Sequence, residues 1–325
     1  MSDPAKTLAG YQALREGAGY HRFGQPGCLR VGGEHRLDFL QRQTTNNMTL
    51  LTEGRALLNV LTSPAARILE VFIAVHEPEA IGLVTGPGRA EPLASYLRSR
   101  IFFMDRVTVE DASPTIALFS LDGPAAPQVL RALGAAQAPE RDQVVPLEGF
   151  GAGGRVIGVD GLTGPGFLLL IPIDAAAHVA ERLAEAGAEP VGEEAREVAR
   201  IERGLPGQGA EISEEYTPLE VGLSRAVADN KGCYTGQEVI ARQISRDRVT
   251  RHLAGLRLAA PAPPGAPVLV DGRRVGEVTS AAISPRFGPI ALAVLRRPHD
   301  KPGTVLAAAA GDVEIAAQAV ALPFG

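Results

Sequence analysis

The sequence is poor in cysteine. Among its 325 residues only Cys28 and Cys233 carry a thiol, and they lie far apart in the chain. Two thiols are too few for a disulfide scaffold, a four-cysteine zinc site or an iron–sulfur cluster held by this chain alone. We therefore expect no resident metal ion. So low a cysteine content is typical of a reducing compartment, and the expected location is the cytoplasm.

Long apolar runs and a strong basic excess are also missing. The longest apolar run, Phe167–Ile173, has seven residues if Pro172 is counted, whereas a membrane-spanning helix needs about 20. The N-terminal segment has no apolar stretch of signal-peptide length, so no targeting signal is predicted. The formal net charge is −5, and proteins that rely on phosphate contacts usually carry a positive excess. We therefore expect that the protein neither associates with a membrane nor binds nucleic acid directly.

The composition and the local patterns predict a folded chain with two parts. Hydrophobic residues make up 45% and charged residues 21% of the chain, which is enough to bury a sizeable core. Strand and helix patterns alternate through residues 1–248. Over residues 249–325, prolines and glycines separate short strand-like stretches without a helix pattern. The second part is therefore predicted to be a small β-barrel or sandwich.

A short internal repeat occurs at an offset of 90 residues. Val31–Gly33 and Leu121–Gly123 each have the pattern of a strand end and a glycine turn, followed by an amphipathic helix. This favours duplicated α/β units that build mixed sheets with helices on one face.

The segment Asn230–Glu238 combines groups that can carry chemistry. Its two glycines let the backbone bend and approach a ligand closely, and between them lie the Cys233 thiol and the Tyr234 phenol. A neighbouring lysine such as Lys231 can lower a thiol pKa, which makes the thiolate a nucleophile or metal ligand. The alternative is a helix N-terminus that buries a small cysteine. Cys28, by contrast, is expected to be an ordinary core residue.

A helix is predicted over Glu193–Arg203, ended by Gly204. Its apolar face includes Ile201, and Glu202 lies beside that face. Two interpretations of this carboxylate remain open: it points into a neighbouring cleft, or it is solvated and paired with an arginine.

These segments together resemble the folate-binding YgfZ family, relatives of the glycine-cleavage T-protein (aminomethyltransferase). The resemblance extends along almost the whole chain. It rests on KGCYTGQEVIAR, DFLQRQTTNNM, RIERGLPGQGAEISEEYTPLEVGL and VGEVTSAAISPRFGPIALAVL. It implies an α+β fold, with two ferredoxin-like α/β parts around a central cleft and a small C-terminal β-barrel. Residues 1–248 would then be a folate-binding region of two interleaved subdomains, and residues 249–325 the barrel.

The function that the resemblance implies is binding of tetrahydrofolate or a one-carbon derivative. It further implies a role in iron–sulfur cluster assembly or repair, with an indirect effect on tRNA modification. The expected partners are therefore folate and iron–sulfur proteins or their assembly machinery, and the chain is expected to be a monomer.

The resemblance also implies which residues carry the function. Glu202 matches the carboxylate that holds the pteridine ring in T-proteins, since a carboxylate can accept two hydrogen bonds from an amino-pyrimidine edge. Cys233 matches the family's functional cysteine, whose role stays open between reaction, metal binding and packing. The remaining cofactor-binding positions are Lys231, Tyr234, Gly236 and Gln237.

One departure from the T-proteins bears on catalysis. T-proteins carry consecutive carboxylates in a G-G-I-x-D-D segment, where an aspartate assists methylene transfer. The corresponding stretch here, Ala66–Val71, keeps only Glu70, which we expect at the surface. A classical aminomethyltransferase is therefore not the expected activity. The enzymatic alternative is a folate-dependent aminomethyl or one-carbon transferase that uses Glu70 as its acid/base group.

A third hypothesis is an RNA-binding factor. The segment Arg225–Arg251 holds six lysines and arginines against three aspartates and glutamates, but Tyr234 is its only aromatic residue. Without interleaved aromatic side chains this pattern favours nucleic-acid binding only weakly.

Overall fold

The computed structural model describes residues 4–151, 153–245 and 248–325, and the chain divides into two compact units. Unit 1 comprises residues 1–62, 70–192 and 225–235, and unit 2 comprises residues 63–69, 193–224 and 236–325. No helix in the described part of the chain is long and apolar enough to cross a membrane. The domain boundary predicted at residues 248 and 249 stays a prediction.

Helices and strands alternate up to residue 245 and give way to strands alone after residue 250. The helices are α1 Pro4–Glu16, α2 Arg36–Gln43, α3 Ala90–Ser99, α4 Ala126–Ala132, α5 Ala176–Glu185, α6 Glu193–Arg203 and α7 Gln237–Ser245. The strands are β1 Gly19–Arg22, β2 Gly27–Gly32, β3 Ala56–Thr62, β4 Ile68–His76, β5 Ala80–Thr85, β6 Thr108–Asp111, β7 Ile116–Asp122, β8 Val144–Pro146, β9 Arg155–Gly161, β10 Gly164–Pro172, β11 Glu189–Pro190, β12 Arg251–Leu258, β13 Pro267–Val270, β14 Arg273–Ser284, β15 Gly288–Arg296, β16 Val305–Ala310 and β17 Val313–Val320.

Two sheets build unit 1. One has the strand order β11-β1-β7-β10-β9-β8, and the other has the order β3-β4-β5-β2-β6. The two sheets pack through apolar side chains of both, among them Val75, Val84, Leu118 and Leu170. Helices α4 and α5 cover the first sheet through a core that includes Phe119, Leu130 and Leu183. Each sheet is of the ferredoxin-like type, as predicted.

The strand–glycine–helix pattern is present at both positions of the internal repeat. Gly33 lies between β2 and α2 with a φ of +94°, and Gly123 lies between β7 and α4 with a φ of +113°. A Cβ atom on either glycine would lie within 2.5 Å of a backbone oxygen, that of Arg106 or of Gly17. Only glycine fits such a left-handed turn against a neighbouring backbone.

A closed six-stranded barrel forms most of unit 2, with the order β12-β15-β14-β13-β16-β17. Its interior is filled by small and branched apolar residues such as Leu256, Val278 and Leu295. Helix α6 packs on the barrel through Ile201, which meets Ile290 and other apolar side chains. The predicted fold class is confirmed, and α6 has the predicted bounds.

Candidate functional site

The segment 225–235 is fixed to the loop after α2 by hydrogen bonds within unit 1. Thr45 Oγ1 donates to the Ala226 carbonyl at 2.6 Å, and the Ala228 N–H donates to the Thr45 carbonyl at 3.0 Å. Asn46 Nδ2 donates to the Arg225 carbonyl at 3.1 Å, and Asn59 Oδ1 accepts the Asn46 N–H at 2.8 Å. Because Asn59 is fully buried in β3, the loop and the segment are held on a rigid strand.

Lys231 completes this attachment. Its Nζ donates to the Thr44 carbonyl at 2.5 Å and to the Asn46 carbonyl at 2.7 Å, and it lies 5.1 Å from the centre of the Tyr234 ring. Among the described residues no hydrogen bond joins Lys231 to Cys233. The ammonium group therefore binds two backbone carbonyls and an aromatic face.

The two cysteines have opposite environments. Cys233 is exposed, whereas Cys28 is buried, and burial raises the pKa of the Cys28 thiol to about 12. The alternative interpretation of this segment is confirmed in its helix start, since α7 begins at Gln237, but it is wrong about the burial of Cys233. The expected core position of Cys28 is confirmed. Next to Cys233, Tyr234 is buried, and burial together with Asp229 raises the pKa of its phenol to about 12. Its hydroxyl stays protonated at neutral pH.

The remaining predicted positions of this motif lie at the start of α7. Gly236 precedes the helix, and Gln237 is its half-buried first residue. Glu238 is exposed and pairs with Arg242 one turn later at 3.7 Å. The division between the two units falls between Thr235 and Gly236. The structure thus joins Lys231 and Tyr234 in unit 1, while Gly236 and Gln237 belong to unit 2.

Burial of Lys231 makes the free energy of unfolding depend on pH. Burial lowers the pKa of its ammonium group from 10.5 to about 8. Between these values the folded chain has released the proton that the unfolded chain still holds, so the unfolding free energy rises with pH in this window. Because a neutral amine keeps two N–H donors, its bonds to both carbonyls can persist.

We therefore expect the unfolding free energy of the wild type to increase relative to Lys231→Met between pH 8 and pH 10.5. Urea unfolding at stepped pH measures this difference. Lys301→Met, which replaces an exposed lysine of the barrel, controls for the loss of one positive charge. A difference that stays flat or falls over this pH range would contradict the assignment.

Glu202 is a buried carboxylate in the last turn of α6, within unit 2. Only 3% of the residue is exposed, so the solvated alternative is wrong. Ser284 Oγ donates to Glu202 Oε1 at 2.5 Å, and the backbone carbonyl of Glu202 accepts the Phe324 N–H at 2.8 Å. A helix C-terminus carries partial negative charge and disfavours a carboxylate. Burial adds a desolvation cost, so this position is unfavourable for stability alone.

A second buried carboxylate on unit 2 anchors α6 to the barrel. Glu211 is fully buried and accepts hydrogen bonds from Arg200 Nη1 at 3.2 Å, the Gly207 N–H at 2.7 Å and Ser280 Oγ at 2.8 Å. Desolvation lowers the pKa of the Arg200 guanidinium, but bonds and attraction from Glu197 and Glu211 outweigh it, so this pKa is raised overall. Arg200 therefore stays charged within this network.

The structure corrects the expected position of Glu70. The residue is 2% exposed and lies on the same face of β4 as the buried Phe72. Its Oε2 accepts from Arg89 Nε at 2.7 Å, and its Oε1 accepts from Thr85 Oγ1 at 2.8 Å. Burial with an arginine partner within unit 1 makes Glu70 a structural anion. It is not a surface acid/base group.

Several residues of these networks were not predicted from the sequence. Asn59 is the sole amide in the apolar strand β3, and this break in an otherwise apolar run was a usable signal. Glu211 and Ser280 lie in segments without such contrast. Their partner Arg200 is brought to them only by the packing of α6 on the barrel, so no local pattern marks them.

Two family models match this chain. The model described as the GCVT N-terminal domain matches residues 5–231. The model described as the glycine cleavage T-protein C-terminal barrel domain matches residues 251–324. Together they span nearly all of the described fold.

Individual proteins give the same result. The chain is 36% identical over 259 residues to a chloroplastic protein of Arabidopsis thaliana named as a transferase, and the match covers 78% of this chain but only 59% of that protein's length. It is 32% identical over 329 residues to the aminomethyltransferase of Saccharopolyspora erythraea, covering 97% of this chain and 89% of that protein. The solved glycine cleavage system aminomethyltransferase T from Bartonella henselae has a TM-score of 0.89 and 25% identity, covering 100% of this chain and 91% of that one.

Proposed function

This chain belongs to the glycine-cleavage T-protein (GCVT) family, and from that premise we propose that it binds a reduced folate and takes part in one-carbon transfer. The relationship to the T-proteins predicted from the sequence is confirmed. The narrower assignment to the YgfZ family stays a prediction. The aminomethyltransferase names of the relatives favour the transferase alternative over the iron–sulfur role.

The observation that carries the proposal is the buried carboxylate of Glu202. A buried carboxylate in the last turn of a helix costs stability, and residues that cost stability are characteristic of functional sites. The amino-pyrimidine edge of tetrahydrofolate presents N–H donors, and a carboxylate has about four acceptor positions, so the bond from Ser284 to Oε1 is compatible with a ligand. The acceptor positions of this carboxylate therefore fit the N–H donors of a pteridine.

Each residue has a defined part in this proposal. Glu202 accepts hydrogen bonds from the pteridine and orients it, and Lys231 holds the segment that presents Cys233. Glu70 supplies no proton, since its carboxylate is occupied by Arg89 and Thr85. The folate, when bound, supplies the nitrogen atoms that receive the one-carbon unit.

Two measurements on the purified chain test the proposal. Calorimetric titration with tetrahydrofolate is expected to show binding, and a single-turnover reaction with an aminomethyl donor is expected to form methylenetetrahydrofolate. Absence of folate binding would refute the proposal as a whole. Binding without product would refute the transferase part alone.

The second candidate function is support of iron–sulfur cluster assembly or repair, with its indirect effect on tRNA modification. The observation that favours it is the exposed thiol of Cys233, since solvent access is needed for a thiol that reacts with a partner or shares a cluster with it. We expect Cys233→Ser to lower the activity of a cluster-containing enzyme in a complementation assay, with folate affinity unchanged. Cys28→Ser is the matched control, because that thiol is buried. Full complementation by Cys233→Ser would exclude this role for the thiol.

The second candidate function also implies the partners, which would be iron–sulfur proteins or their assembly machinery. The cytoplasmic location and the monomeric state stay predictions from the sequence. Gel filtration coupled to light scattering would determine the oligomeric state.

A further inference from the structure

The turn between β14 and β15 is organised around one hydroxyl group. Ser284, the last residue of β14, is 2% exposed. Its Oγ accepts the N–H groups of Arg286 and Phe287, each at 3.0 Å, and donates to Glu202 Oε1 at 2.5 Å. All four residues belong to unit 2. A side chain of the barrel turn thus contacts the carboxylate that the proposed function depends on.

These bonds fix the direction in which the hydroxyl acts. A serine hydroxyl has one proton and two acceptor positions. The two backbone N–H groups occupy both acceptor positions, so the single proton is available only to Glu202. Oε1 of Glu202 must therefore act as an acceptor, which orients the carboxylate.

The turn itself is held in place by its neighbours. The Phe287 ring lies 4.8 Å from the guanidinium carbon of Arg286, 5.1 Å from that of Arg257 and 5.8 Å from the centre of the Phe324 ring. The backbone N–H of Phe324 in turn donates to the Glu202 carbonyl. Glu202 is thus attached to the same cluster through both its side chain and its main chain.

We propose that Ser284 is a positioning residue that makes the Glu202 site selective for a ligand edge with N–H donors. The inference rests on the proposed folate binding and adds the origin of its selectivity. A carboxylate that only accepts hydrogen bonds binds more tightly to a pterin that carries its 2-amino group. It forms one hydrogen bond fewer with an analogue that lacks this group. Without the bond from Ser284, the carboxylate is no longer held in this orientation, and the discrimination is lost.

The test measures a ratio of dissociation constants, for tetrahydrofolate and for the analogue without the 2-amino group. Wild type is expected to prefer tetrahydrofolate. Ser284→Ala is expected to weaken tetrahydrofolate binding by about tenfold, because the carboxylate is no longer held in the orientation that accepts from the pterin, with a smaller change for the analogue. Ser284→Thr keeps the hydroxyl and is expected to restore the ratio.

Ser280→Ala is the matched control. Ser280 is another buried serine of β14, but it bonds to Arg200 and Glu211. This variant is expected to lower the melting temperature and to keep the wild-type ratio, which separates general destabilisation from loss of positioning. A folded Ser284→Ala with the wild-type ratio would overturn the inference and leave folate binding intact. Absence of tetrahydrofolate binding by the wild type would overturn both proposals.

Discussion

Replacement of Glu211 by alanine is expected to lower the free energy of unfolding by about 3–5 kcal/mol, the usual cost of removing one partner of a buried ion pair. The fully buried carboxylate binds Arg200, the Gly207 N–H and Ser280 Oγ. Its removal leaves a desolvated guanidinium with a lost counter-ion and two donors without an acceptor. Each unsatisfied donor adds to the cost.

The same arginine provides the control. Glu197 also pairs with Arg200, at 2.6 Å, but its side chain is 48% exposed. Exposed pairs typically contribute between about 0 and 1 kcal/mol, so Glu197→Ala is expected to have an effect within that range. Urea unfolding monitored by circular dichroism measures both variants. If both variants lowered the unfolding free energy equally, burial would not be the reason why the Glu211 pair stabilises the fold.

Replacement of Glu202 by glutamine is expected to weaken tetrahydrofolate binding by about a hundredfold or more, with the unfolding free energy changed by less than about 1 kcal/mol. Two charge-assisted hydrogen bonds to the ligand would be lost, each contributing about 1.5–3 kcal/mol. The amide would also direct N–H donors at the donors of the pterin. Stability is spared because the substitution removes a buried charge from a helix C-terminus, where it is unfavourable.

Calorimetric titration of tetrahydrofolate into both forms measures this effect. Glu193→Gln is the matched control, since Glu193 begins the same helix with a side chain that is 75% exposed. It is expected to leave folate affinity unchanged. If Glu202→Gln bound tetrahydrofolate as the wild type does, Glu202 would not be the pteridine ligand, although the family assignment would stand.

The sites were predicted less completely than the fold. Glu202, Lys231, Tyr234 and Cys233 were named from their motifs, but the environment of each follows from contacts with distant segments. Lys231 meets the Thr44 carbonyl 187 residues earlier in the chain. For this reason its ammonium group could not be separated from the neighbouring thiol by sequence alone.

The wrong prediction that Glu70 lies at the surface has a similar cause. Its alternation with apolar neighbours along β4 was visible, but its arginine partner lies 19 residues later, at the start of α3. A buried carboxylate and a solvated one have the same local sequence pattern. Only the packed structure supplies the counter-ion that makes the buried form stable.

The scarcity of cysteine in the sequence already limited thiol chemistry to Cys28 and Cys233. The sequence by itself also determined part of the fold. Apolar periodicity is local, so it predicted α6 with the observed bounds, Glu193–Arg203. The strand–glycine–helix repeat predicted the duplicated units. Tertiary structure alone decided that Cys233 is exposed, that Glu70 is buried and that Ser284 contacts Glu202 across 82 residues. Each of these outcomes depends on which distant groups exclude water from a side chain and form hydrogen bonds with it. No local sequence pattern encodes those long-range contacts.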